Sequence, residues 1–392
     1  MKIDKANPKH WLCLMLFGVN AVGALLLRRF RCWRKEKGQV ILYGHRLNGN
    51  LLAIHRHWLM HAREDFDMVF LTMDKAYYRQ LRSLGVEAAL ATRLDVIRLM
   101  ARADAVISDH GLHVLCVLVG SPGLKFFDVW HGIPFKGFDA ADFRLQHRYD
   151  EAWVASDLCR KLYVERFGFD PACVYSTGYA RTDRLITTTD DGIALRASLG
   201  ISPGRKTILF APTWAQDDRG RSIFPFGCSE EEFIGTLSEF ADAHQATILL
   251  RSHLNTGAGS KSMHSNVIAL PASLFPDTEA ILQASDVLVC DWSSIAFDFL
   301  LLDRPTVFLE VPPPFRKSFS LGPQYRFGAI VRDLGQLIQE LEICLLNTNA
   351  YWYIHAEMHR KIRRDVYGDR ADGHSTARCM EQLRACLAER RI

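Results

Sequence analysis

The sequence predicts an α/β protein of two doubly wound, Rossmann-like domains facing a cleft, preceded by one apolar helix. Three observations carry this. Short apolar runs that end in polar or glycine-rich turns alternate with helical patterns. That alternation runs through two cycles, separated by the polar stretch TTTDDG at 187–192. An uncharged stretch, Trp11–Leu27, stands outside both cycles. Strands that are almost continuously apolar and alternate with helices imply a parallel sheet covered on both faces. A chain of 392 residues is also too long for one ordinary core.

Taken in order, the N-terminal segment WLCLMLFGVNAVGALLL is about 25 Å long as a helix, at the short end for a membrane span. RRFRCWRK follows it, with Arg28, Arg29, Arg31, Arg34 and Lys35. A cleavable signal carries its positive charge before the apolar stretch and small residues after it, which is the reverse of this arrangement. A buried helix of the soluble domain is the ordinary alternative; two membrane readings remain, a short span and a helix lying in the interface. Either one sets the basic cluster on the anionic cytoplasmic face of the cell membrane.

The first cycle is QVILYG (39–44), DMVFLT (67–72), DAVISD (104–109), KFFDVW (125–130), EAWVAS (151–156) and CVYSTG (173–178), with helical patterns such as LLAIHRHWLMHA between. The second is TILFAPTW (207–214), ATILLRSH (246–253), NVIAL (266–270), DVLVCD (286–291) and PTVFLEV (305–311). YWYIHAEMHRKIRRD and STARCMEQLRACLAERR close the chain as helices. The expected divisions are a membrane-associating segment 1–37, a domain at 38–190, a second at 191–375 and a terminal helix at 376–392. In open α/β sheets ligands collect beyond the carboxyl ends of the strands, so the site is expected between the two domains.

Composition excludes several classes. A net charge of +4 does not make a polycation, and no nucleic-acid partner is implied. Ten cysteines sit mostly inside apolar runs, with no CxxC pair, and read as buried thiols rather than a disulfide or zinc framework. No G-x-S-x-G elbow, Walker loop, H-E-x-x-H or GxGxxG occurs. No cofactor is called for. Asp217 and Asp218 could reach a divalent ion, but adjacent aspartates in a polar loop are ordinarily just solvated.

The candidate residues fall at strand ends. VWHGIPFKGF places His131 at the tip of an apolar run, with Gly132, Gly137 and Pro134 shaping a turn and Lys136 within it. STGYARTD brings Arg181 and Asp183, and FAPTW brings Thr213. RSHLN sets Arg251 and a second histidine, His253, at another strand end. In CDWSSIAFDF, Asp291 ends a strand, Ser293 and Ser294 begin a helix, and Asp298 follows. Unpaired N–H groups and the positive dipole end there suit a phosphate, to which two hydroxyls add donors; simple helix capping is the alternative. Imidazole titrates near neutrality and can take a proton from an attacking hydroxyl or, as imidazolium, steady a phosphate.

The series WHGIPFK, TGYARTD, ILFAPTW, RSH and ASDVLVCDWSSIAFDFLLLDRP resembles the CDP-glycerol glycerophosphotransferase family of teichoic acid and capsule polymer synthesis, over about residues 125–310. The resemblance implies a GT-B fold with the donor nucleotide held mainly by the C-terminal domain. It implies His131 as general base, His253 with Arg251 at the donor phosphates, and Ser293 and Ser294 on the pyrophosphate. It implies transfer of glycerol phosphate from CDP-glycerol to an undecaprenyl-linked or polymer acceptor, with release of CMP. Ile133, Ala180, Cys290, Trp292 and Leu254 depart from the family pattern without removing a proposed acid, base or phosphate donor. They leave CDP-ribitol or another CDP-polyol open as donor. A GT-B glycosyltransferase using a nucleotide sugar, a sugar-nucleotide 2-epimerase and a non-enzymatic membrane scaffold are the rival readings.

Overall fold

The computed structural model describes residues 4, 6–30, 37–187, 189–213, 224–251, 264–313, 315 and 317–388. The chain divides into two compact units. One comprises the chain up to His131, Asp139–Asp183 and the chain from His374; the other comprises Gly132–Phe138 and Arg184–Gly373. The division therefore falls seven residues before 190, and residues 132–138 join the second unit although they lie within the first in sequence.

The first unit is built on seven parallel strands: β1 (Gly38–Tyr43), β2 (Phe66–Thr72), β3 (Ala88–Leu90), β4 (Ala105–Ser108), β5 (Lys125–Asp128), β6 (Glu151–Val154) and β7 (Val174–Ser176), in the order β3-β2-β1-β4-β5-β6-β7. β3, the run Ala-Ala-Leu, has little strand propensity and was not expected from the sequence. Side chains alternate across the sheet as the pleat requires. Val40 and Leu42 join a core on one face with Ile54, Trp58, Met380 and Leu383. Ile41 and Tyr43 join the opposite core with Phe17, Ala21, Ala24 and Met100. The two ends of the chain thus cover opposite faces of one sheet: the N-terminal helix, Pro8–Arg29, on one side and the C-terminal helix, Ser375–Ala388, on the other.

The N-terminal helix is docked along one side only. Asn20 donates to the carbonyls of Ala91 and Arg93, both at 2.9 Å. The Arg28 guanidinium reaches the carbonyls of Ala101 at 2.9 Å, Ala103 at 2.8 Å and Pro122 at 3.2 Å. Expected in a lipid-facing basic cluster, Arg28 is instead buried, because the last turn of the neighbouring helix and the β4 entry leave carbonyls that need a donor. The opposite side exposes Trp11, Leu12, Met15, Val19, Val22 and Leu26. Among the described residues this is the one helix long and apolar enough to cross a membrane.

The second unit holds β8 (Lys206–Phe210), β9 (Ala246–Leu250), β10 (Val267–Ala269), β11 (Val287–Cys290), β12 (Thr306–Leu309) and β13 (Ala329–Val331), all parallel, in the order β10-β9-β8-β11-β12-β13. Counted within the unit this is the 3-2-1-4-5-6 order of a dinucleotide-binding fold, and the strand order reverses between β8 and β11. In the first unit the reversal falls between β1 and β4. The helices Leu334–Leu346 and Thr348–Tyr367 pack behind β12 and β13. There Tyr351 Oη lies 2.9 Å from His359 Nε2 and donates at 3.1 Å to the Thr306 carbonyl.

Burial, reinforced by His355, lowers the His359 pKa to about 3. An unfolded histidine titrates near 6.5. The stability contributed by neutral His359 is therefore complete above about pH 6.5 and is lost as pH falls towards about 3. Urea unfolding across that window should show a midpoint falling with pH. In His359→Gln, whose amide can still meet Tyr351, that slope should be shallower.

Candidate active site

In the first unit the site is built by strand pairing. β4 and β5 run in parallel with Ser108 beside Asp128, so the residues just past them meet. Trp130 then takes a left-handed φ of 37°, which costs a non-glycine residue about 1–2 kcal/mol and needs a holder. Asn50 supplies it. Its amide donates to the carbonyls of Val129 at 2.7 Å and Trp130 at 2.8 Å, and its oxygen accepts from the Arg181 N–H at 3.1 Å.

His131 emerges exposed from this clamp. Its Nδ1 lies 3.0 Å from the backbone oxygen of Asp109. A carbonyl can only accept, so Nδ1 carries the proton and, in the neutral ring, Nε2 carries the lone pair. The ring packs against Trp130, with centroids 4.4 Å apart, and stacks on His110 at 4.4 Å with 7° between planes. Nδ1 of His110 donates to the buried Asp109 carboxylate at 2.7 Å. Gly44 makes room for that carboxylate, since a Cβ there would lie 2.4 Å from its oxygen. Burial favours neutral His110, but the charges and hydrogen bond of Asp109, with Asp128, outweigh it and raise its pKa. Burial lifts the Asp128 carboxyl to about 7, opposed by the Trp130 N–H. Burial, with nearby positive charge including His110, lowers His113 to about 4.

Arg181 is buried, with its guanidinium 5.0 Å from the Tyr179 ring centre. Asp183, expected to touch substrate, has both oxygens engaged by the C-terminal helix. They accept from the N–H of Ser375 at 2.9 Å, and from the N–H and hydroxyl of Thr376 at 2.7 and 2.6 Å. The first N–H groups of that helix thus take a carboxylate from elsewhere in the chain.

In the second unit, Asp291 after β11 accepts from the N–H of Thr213 at 2.7 Å and from its hydroxyl at 2.5 Å, tying the turns that follow β8 and β11 at the point of strand reversal. Ser293 and Ser294 are half-exposed. Ser294 occupies the cap position of the helix Ile295–Leu300 without making a side-chain cap bond, and Ser293 Oγ accepts from the Ile295 N–H at a long 3.5 Å. Asp298 is buried within that helix. Trp292 donates to the Val311 carbonyl, and the Arg326 guanidinium lies over its ring at 4.3 Å. One Arg326 nitrogen donates to Glu310 at 2.9 Å, while the buried Nε and Nη1 meet no hydrogen-bond partner among the described residues. A guanidinium with two such donors beside the Asp291 turn is suited to an anion.

Residues 132–138 lie against the second unit's 317–320. Lys136 bridges to Phe319, and Gly137 is required because a Cβ would fall 1.4 Å from the Ser318 carbonyl oxygen. The Lys136 ammonium sits 4.9 Å from the Phe138 ring centre. Arg251, expected at the donor phosphates, donates to the carbonyls of Leu270 at 3.1 Å and Phe275 at 2.6 Å and to the Thr278 hydroxyl at 3.2 Å. Burial lowers its pKa to about 10, against Glu279 and Asp277. Those bonds hold the loop between β10 and the helix Thr278–Ala284. His253, Asp217 and Asp218 lie outside the described residues. Among the described residues no group of three or more His, Cys, Asp or Glu is placed to hold a metal ion.

Sequence reasoning missed Asn50, Asp109, His110 and Arg326. His110 had a signal, since SDHG ends an apolar strand as WHG does. Asn50 and Arg326 had none, because their partners are distant in the chain.

Two parallel doubly wound units, one presenting an imidazole and the other a hydroxyl pair at a strand end, define a GT-B-like architecture. A family model described as CDP-glycerol:poly(glycerophosphate) glycerophosphotransferase matches residues 26–384, and the chain belongs to that family. Most of the N-terminal helix precedes the match. The teichoic acid ribitol-phosphate polymerase TarK of Staphylococcus aureus is 26% identical over 76% of this chain and 60% of its own length. A teichoic acid poly(glycerol phosphate) polymerase of Staphylococcus epidermidis is 26% identical over 47% of this chain and 28% of its own. The chain spans about half the length of the curated relatives it matches, between 43% and 60% for the first three. A solved structure of the wall teichoic acid polymerase TagF has the same fold, with a TM-score of 0.75 at 18% identity over 95% of each chain.

Because Asn50 makes three bonds to buried backbone groups, Asn50→Ala should lower unfolding stability by about 2 kcal/mol, measured by denaturant titration.

Proposed function

We propose that this chain transfers glycerol phosphate from CDP-glycerol to a hydroxyl of a lipid-linked or polymer acceptor, releasing CMP. The observation that carries this reading is the fixed tautomer of His131, which leaves Nε2 as the base on an exposed strand-end ring. Nε2 takes the proton from the acceptor hydroxyl as its oxygen attacks the β-phosphorus, the one bearing glycerol. The bond from that phosphorus to the bridging oxygen breaks, and CMP leaves with the electron pair. Negative charge on the phosphoryl group is met by Ser293 and Ser294, by the N–H groups at their turn and by Arg326. Thr213 and Asp291 hold that turn in place. His253, Arg251 and Lys136 are proposed to lend positive charge along the donor or acceptor, and Arg181 and Asp298 to support the two turns from within.

His131→Ala should lower the rate of CMP release by roughly a hundredfold or more while CDP-glycerol still stabilises the protein against heat. A variant that keeps more than about a tenth of the rate would remove His131 as the base. The ribitol-phosphate polymerases among the relatives favour a second donor, CDP-ribitol. Release of CMP from CDP-ribitol alone would keep the chemistry and change the substrate, whereas turnover of a UDP-sugar alone would replace this reading with a glycosyltransferase.

The N-terminal helix is proposed to lie in the membrane interface at the cytoplasmic face rather than to span it, bringing the enzyme to an undecaprenyl-type carrier. Its docked side is fixed by Asn20 and Arg28, and its outer side is a continuous apolar strip. Met15 and Val19 are about 60% exposed, so glutamates there should leave the fold intact. The double variant Met15→Glu/Val19→Glu should lose binding to vesicles containing phosphatidylglycerol in a flotation assay, and undiminished binding would rule this anchor out.

A further inference from the structure

The His110–Asp109 pair has no part in the chemistry described above, yet His110 stacks directly on the proposed base. We propose that His110, held by Asp109, is a positioning residue that acts as a fixed cation behind His131, keeping that ring neutral and aimed so that its Nε2 is ready for the acceptor proton. This rests on the transfer reading for its kinetic consequence, while its electrostatic consequence stands apart from that reading.

Three contacts support it. The two imidazoles stack at 4.4 Å with nearly parallel planes. At that distance a charge on one ring disfavours a charge on the other. Asp109 serves both rings at once, its carboxylate on His110 Nδ1 at 2.7 Å and its backbone carbonyl on His131 Nδ1 at 3.0 Å. One residue therefore makes His110 the preferred home of the proton and sets the tautomer of His131. Gly44 is the space that lets the carboxylate reach this position.

The other titratable groups facing His110 do not compete for that role. His113, from the turn after β4, is neutral near pH 7 and donates or accepts with Tyr43 at 2.9 Å. Asp128, at the end of β5, raises the affinity of His110 for its proton. His45, from the turn after β1, brings its ring to 4.5 Å on the tilt rather than in a parallel stack. The net effect on His110 is upward despite its burial, which agrees with a retained imidazolium.

The test separates charge from packing. Histidine-resolved NMR titration of the full chain should show His131 losing its proton at lower pH than His110. His110→Phe keeps a stacking ring without the charge, and His110→Lys keeps a charge without the ring. In the first, the His131 titration and the acid limb of kcat/KM for CMP release should both move up by about one unit. In the second, both should stay near the parent. A parent in which His131 titrates above His110, or variants in which phenylalanine changes nothing or shifts His131 as lysine does, would overturn the proposal. The parent titration decides it even where a variant fails to fold. A shifted His131 titration in a protein that turns over no CDP-polyol would retain the coupling and discard the transferase reading instead.

Discussion

The parallel pairing of β4 with β5 is the constraint on which the candidate base depends. With Ser108 beside Asp128, the next residues of each strand have nowhere to go except past the same edge of the sheet, and Asp109 meets His131 there. A slip of one residue would move the Asp109 carbonyl away from His131 and remove the acceptor for its Nδ1. The left-handed Trp130 and the Asn50 clamp are consequences of that demand. The chain must turn sharply at the strand tip without losing hydrogen bonds, and an amide with two donors and one acceptor satisfies three backbone groups at once.

The second unit meets a similar demand with different chemistry. One carboxylate, Asp291, joins the turns after β8 and β11, and this leaves the hydroxyl of Ser294 outside the helix cap in which serine is usually consumed. The Arg326 guanidinium lies over Trp292, with two buried donors unmet among the described residues. Buried donors left unmet cost stability, and an anion at this turn would complete those bonds.

The two chain termini share one sheet. The N-terminal helix lies on one face and the C-terminal helix on the other, the latter begun by Asp183 from the TGYARTD segment. Residues that read as substrate contacts by their place at strand ends can equally be the fasteners that hold distant segments in register, as Asp183 and Arg251 do.

Much of this protein was legible in the sequence by itself. Near-continuous apolar strands alternating with amphipathic helices determine parallel doubly wound sheets, because both faces must be covered. Their ends determine where His131, Thr213, Asp291, Ser293 and Ser294 fall. Whereas β7 and β10 were read from the sequence, β3 and β13, equally short, were not. Nor were the pairings among distant residues. Asn50 meeting Arg181, Asp183 meeting Thr376, Arg28 meeting the carbonyls near residue 101 and Arg326 covering Trp292 join positions that no local pattern relates. Only the tertiary structure decided them, because sequence periodicity reports which face a residue takes, while the partner on that face is set by how the strands are ordered.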